Sequence, residues 1–80
     1  MKTQTAIAKR LNKLLIQKHM TQYRLSKNMI TSQSTIKNIM HEQYKSINFD
    51  TLIKIADALD MTVQEFLDDP VFDRENLDVD

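Results

Sequence analysis

Apolar residues recur along this chain at helical spacing and bound five segments. Ile7, Leu11, Leu14 and Leu15 share one face of a predicted helix from about Thr5 to His19, with Lys9, Arg10, Lys13 and Gln17 largely opposite. A second helix follows Thr21, whose hydroxyl suits one of the backbone N–H groups that a helix start leaves unpaired. Met20 before that cap and Leu25 within the helix have the spacing of a hydrophobic staple, and the segment ends near Asn28 or Met29. Ser32 caps a third helix, which turns Ile36, Ile39 and Met40 inward. The fourth begins near Asn48, and the pattern assigns Phe49, Leu52, Ile53, Ile55, Ala56 and Leu59 to its buried side. Asp60 then stands where helices end on a left-handed residue, which Asp tolerates better than most. Thr62-Val63-Gln64-Glu65 has the form of a capping box, Met61 and Phe66 repeat the staple, and Pro70 closes the fifth helix.

Composition narrows the architecture to an all-α, five-helix domain. Eighty residues leave room for one small core, and Gly is absent while Pro occurs once. Tight hairpins that need positive φ are therefore disfavoured, which argues against an all-β fold. Without cysteine there is no disulfide, thiolate nucleophile or cysteine-ligated zinc site, which fits a reducing compartment. No apolar run has the length of a membrane span or a secretory core, so a soluble, cytoplasmic chain with no membrane partner is expected. Residues 1–68 form the expected domain and 69–80 an acidic tail. That tail is either solvated or docked, through Val71 and Phe72, on the domain or on a second subunit.

The formal net charge is zero, which by itself speaks against a polyanion as partner. Its distribution reverses that reading. Residues 1–45 carry nine basic residues against Glu42 alone, whereas 46–80 carry Lys54 and Arg74 against ten acids. A basic face built from the first half would supply the electrostatic footprint that nucleic acid requires.

The third segment carries the chemistry. At about 100° per residue, Gln33, Lys37, His41, Ser34 and Asn38 fall on one broad side, opposite Ile36, Ile39 and Met40. That side holds amides, a hydroxyl, an ammonium and an imidazole, and no acid. These groups suit base edges: Gln and Asn can bridge adenine N6 and N7, Ser adapts to either partner, and Lys donates to guanine or phosphate.

Three runs then become recognisable: Met20-Thr21-Gln22-Tyr23-Arg24-Leu25-Ser26-Lys27, Ser32-Gln33-Ser34-Thr35-Ile36, and Leu52 to Leu59 followed by Val63-Gln64-Glu65-Phe66-Leu67. Together they resemble the Cro/repressor-type helix-turn-helix domain of phage-repressor-like, or xenobiotic-response-element, transcriptional regulators. The resemblance covers about residues 5–68. It implies that helices 2 and 3 form the helix-turn-helix, with helix 2 across the DNA backbone and helix 3 in the major groove. Carried over by position, Gln22 grips a phosphate and braces the recognition helix, and Gln33 pairs with an adenine. Ser34, Lys37 and Asn38 match base-reading positions, Thr35 lies near phosphate, and Lys45 contacts the backbone. Arg10 is a further candidate phosphate contact.

The chain departs from the family pattern at three places. Ile30 stands where the turn between helices 2 and 3 often has Gly, so either the turn differs or Ile30 is strained. Leu15 and Met40 replace a frequent Arg–Glu pair and are expected to touch in the core. The loop 41–47 lacks the usual Asn-Gly, and Glu42 brings a negative charge near the expected phosphate.

Neither an enzyme nor a metal or cofactor site is expected, because His19 and His41 lack a paired ligand spacing and no glycine loop can cradle phosphate. The expected function is a sequence-specific DNA-binding regulator, a repressor binding double-stranded DNA as a homodimer on half-sites about 34–36 Å apart. Phe66, Leu67, Val71 and Phe72 are candidate dimer contacts. The alternative is a protein-interaction module on a repressor-like scaffold, antitoxin-like or an adaptor, with the acidic stretch 68–80 as its working surface and a partner contact through residues 66–80.

Overall fold

The computed structural model describes residues 1–79. Five α-helices follow in chain order: α1 (Thr3–Gln17), α2 (Gln22–Asn28), α3 (Gln33–Met40), α4 (Phe49–Ala58) and α5 (Val63–Leu67). Two short 3-10 turns, Pro70–Phe72 and Arg74–Asn76, come after them, and no strand occurs among the described residues. The architecture is all-α. Thr21, Ser32, Asn48 and Thr62 each cap a helix, the side chain accepting the backbone N–H three residues ahead. At Thr62 the box is complete, because the Glu65 carboxylate accepts the Thr62 N–H in return at 2.9 Å.

Helix α1 begins two residues before the expected start and ends at Gln17 rather than His19. Its end explains the difference. His19 adopts a left-handed φ of 52°, and the N–H groups of His19 and Met20 turn back to the carbonyls of Ile16 and Leu15. The same pair of reversed bonds closes α2 at Ile30 and Thr31, α3 at Glu42 and Gln43, and α4 at Asp60 and Met61. Four helices thus end on a left-handed residue in a chain without glycine.

Ile30 is the most costly of these four. Its φ is 54° and its side chain is 93% exposed, so the strain is not repaid by packing. A left-handed L-residue costs about 1–2 kcal/mol, and branching at Cβ aggravates it. Ile30→Gly is therefore expected to raise the unfolding free energy by about 1 kcal/mol in a denaturant titration. A fall in stability would contradict this account of the turn.

One core unites the helices. Leu11, Leu14 and Leu15 of α1, Leu25 of α2, Ile36 and Ile39 of α3, Ile55 and Leu59 of α4 and Phe66 of α5 form a continuous buried cluster. Met40, half-buried, packs against the cluster that contains Leu15. The expectation for α4 needs correction: Phe49 is 57% exposed and Ile53 36%. Leu52, Ile55, Ala56 and Leu59 already span about 100° of the helix, and Phe49 and Ile53 lie at the margin of that stripe.

The chain beyond α5 folds back on the domain. Val71 and Phe72 are half-buried, and the Phe72 ring lies 6.0 Å from that of Phe66. Asp69 accepts the Val71 N–H at 2.9 Å and so starts the first 3-10 turn, while the Asp78 N–H reaches the Met1 carbonyl at 2.7 Å. Phe66 is fully buried, and Leu67 and Phe72 pack against the same core. Of the residues expected as dimer contacts, Phe66 is thus spent within the monomer, while Leu67, Val71 and Phe72 are only partly covered by it.

Candidate nucleic-acid interface

Helix α3 is held from behind and open in front. It packs against α1 and α2 through Ile36 and Ile39, both buried. Asn28 at the end of α2 donates to the Ala58 carbonyl of α4 at 3.1 Å, which fixes the second helix against the fourth. Ser32 accepts the Thr35 N–H at 3.2 Å, and the two hydroxyls lie 3.0 Å apart. The start of α3 is therefore set by its own side chains.

The outer side carries the expected set. Gln33, Ser34 and Lys37 are exposed, and Thr35 and Asn38 are half-buried. Among the described residues, none hydrogen-bonds the side chains of Gln33, Ser34, Lys37 or Asn38, and Lys37 enters no ion pair. Their donors and acceptors stay available for a ligand. Gln22, half-buried, is the first residue of α2, and Lys45 is exposed in the loop after α3. Lys27 lies 5.3 Å from the centre of the Tyr23 ring, a cation–π contact that pattern reading did not anticipate.

Glu42, at the end of α3, is turned toward α1. Its carboxylate accepts the hydroxyl of Thr5, in the first turn of α1, where the helix dipole favours an anion. Between α3, the following loop and the start of α4 lies a cleft of about 250 Å³ whose lining includes Thr35, Tyr44, Ser46 and Thr51. Sequence reading took only Lys45 from this loop. Hydroxyls scattered over an irregular segment have no periodicity to reveal them.

Arg10 belongs elsewhere. The residue is buried, and all three guanidinium nitrogens are engaged inside the domain. Nε donates to the Phe66 carbonyl at 2.8 Å, Nη2 to the Glu65 carbonyl at 3.0 Å, and Nη1 to Asp69 at 3.2 Å. It completes the carbonyl end of α5, a favourable place for a cation. The expected phosphate contact is thus corrected: Arg10 is buried and ties α1 to α5, with each guanidinium nitrogen already bonded inside the domain.

Asp69 gathers these bonds, with Lys13 joining at 3.0 Å. The Val71 N–H, then the Lys13 bond, and the charges of Lys13 and Arg10 hold its pKa below the ordinary carboxylate value. Glu65 is lowered too, chiefly by the Thr62 N–H. For a depressed folded pKa, the stabilisation is complete above the unfolded carboxylate range, near pH 4. It is lost as pH falls through the lower folded value. Asp69→Asn is expected to flatten the acid side of a stability–pH profile, measured by thermal melting below about pH 4. An unchanged acid slope would assign it to other carboxylates.

No helix of the described residues is long and apolar enough to cross a membrane, and no group of three or more metal-capable side chains comes together among them. No curated protein and no solved structure matches the chain. A family model does match: it describes a Cro/C1-type HTH DNA-binding domain and spans residues 10–71. That span takes in all of α2 to α5 and the second half of α1, so the helix whose free polar side was described above is the second member of a helix-turn-helix, and the chain belongs to the Cro/C1-type HTH DNA-binding domain family.

Proposed function

We propose that this DNA-binding domain is a sequence-specific transcriptional repressor that occupies an operator as a homodimer and blocks polymerase access. The reading rests on one observation above the others. The exposed side of α3 offers Gln33, Ser34, Lys37 and Asn38 with no acid among them and no internal partner for their side chains. Such a set can read bases in the major groove. Gln22, Thr35 and Lys45 would grip the phosphates on either side and fix the register, without specifying sequence themselves. Acting on DNA, the protein would work in the cytoplasm. The opposing idea, an interaction module built on residues 66–80, loses support because Phe66, Asp69 and Phe72 are engaged within the domain.

Selection of bound fragments from a random duplex library tests the proposal, and an enriched palindrome is the expected result. On the selected site, log affinity should fall steeply and linearly with log salt concentration. Lys37→Ala should reduce that slope by about 1 if the ammonium meets a phosphate. A library that yields no enriched sequence would end the regulator reading.

A further inference from the structure

Gln33, Lys37 and His41 stand four residues apart, so at about 100° per residue they form one slowly turning row along the open side of α3. His41 is the last of the row. It ends α3 with near-helical angles, φ −96° and ψ 11°, and its N–H bonds the Lys37 carbonyl at 2.8 Å. The residue is exposed, and its ring has no hydrogen-bond or ion partner among the described residues; Gln43 reaches only its backbone carbonyl. A recognition helix meets base edges with its first residues, which leaves its last turn nearer the sugar–phosphate wall of the groove. The carbonyl end of a helix is also a favourable place for a cation.

The elements packed around α3 bring that ring no counter-ion. Helices α1, α2 and α3 contain no acidic residue at all. Lys2, Lys9 and Lys13 belong to α1 and its cap, where Arg10 is engaged with α5; α2 carries Tyr23, Arg24 and Lys27, and α3 carries Lys37. The loop after α3 adds Tyr44 and Lys45, and beyond it α4 opens with Asp50 and continues to Lys54. Glu42 is the one acid next to His41 in sequence, and its carboxylate is turned to the Thr5 hydroxyl of α1. A DNA phosphate at the end of α3 would supply the anion that a protonated ring lacks here, and a nearby anion favours the charged form.

We propose that His41 is a further contact to the DNA backbone, made by its protonated ring, so that binding takes up a proton. Affinity then rises as pH falls from about 8 to about 6, because the bound form holds more protons than the free one. The inference rests on the DNA reading above, with α3 in the major groove. Histidine is the side chain that ordinarily gains charge in this range, and the chain has two, His19 and His41. His19 lies in the turn between α1 and α2, off the row that α3 presents.

Fluorescence anisotropy of a labelled duplex from the library selection, over a range of salt and at about pH 6 and about pH 8, tests it. The wild type should bind about three- to tenfold tighter at the lower pH, with a log–log salt slope steeper by about 0.9 per chain, since one more phosphate is neutralised. His41→Asn should abolish both differences. His41→Lys, a permanent cation, should bind at the higher pH as tightly as the wild type does at the lower, and should do so at either pH. His19→Asn should leave the pH effect in place. The His41 ring is exposed, so circular dichroism melts of both His41 variants should match the wild type. Tight binding that ignores pH would overturn the proposal and leave the DNA reading standing. So would a pH effect that survives His41→Asn or disappears with His19→Asn. If no duplex is bound at either pH, both readings fall together.

Discussion

Arg10→Ala is expected to lower the unfolding free energy by about 3–5 kcal/mol, the range found when one partner of a buried ion pair is removed. The side chains of Arg10 and Asp69 are 10% and 11% exposed, so little water reaches either. Truncating the arginine leaves the Glu65 and Phe66 carbonyls without their donor and Asp69 with Lys13 as its remaining cation. A chain of eighty residues holds about 4–12 kcal/mol in all, so this loss is a large fraction of the total. A fall in Tm of more than about 10 °C should accompany it. The same variant separates two roles for the residue. If Arg10 gripped a phosphate, its loss would reduce the salt slope of DNA binding and leave the melt nearly unchanged. The geometry implies the opposite: a much lower Tm and, for the folded protein at low temperature, an unaltered slope.

Gln33→Ala should cost about 1–3 kcal/mol on the selected site, a loss of roughly 5- to 150-fold in affinity, and far less on unrelated DNA. Gln33 is the first residue of α3, exposed, with no internal partner for its amide among the described residues. A bidentate amide–adenine contact specifies one base pair, so the loss should concentrate on sites that carry that base. Titrations against the selected duplex and variants altered one pair at a time give the result directly. Equal losses on selected and unrelated duplexes would show that Gln33 holds the backbone instead of reading a base. Because the side chain is exposed, the melting temperature should hardly move.

Local rules recovered the helices, and distant contacts defeated them. Thr21, Ser32, Asn48 and Thr62 were legible as caps because a cap acts within four residues of itself. The open side of α3 was legible for a similar reason: periodicity separates Ile36 and Ile39 from Gln33 and Lys37 without knowledge of the neighbours. Arg10 was not legible. Its partners lie 55, 56 and 59 residues away, and a helical wheel treats any arginine opposite the leucines as solvated. Phe49 and Ile53 failed for another reason. The wheel gives an angle but not the width of the face that neighbouring helices can cover, and here α4 offers more apolar surface than the monomer buries. Ile30 shows a third kind of gap. The turn closes on a left-handed residue like the other three helix ends, and Ile30 takes on a φ that its side chain disfavours.

The clasp at Asp69 also decides where this domain can be cut. A fragment stopping at Asp68 would retain all five α-helices and every member of the apolar cluster, and would look complete on a topology diagram. It would nevertheless discard the carboxylate that neutralises a guanidinium enclosed beneath α5, together with the Phe72 ring that shields Phe66. The minimal autonomous unit therefore runs through Phe72, and a linker or fusion partner belongs after that ring rather than at the last helical residue.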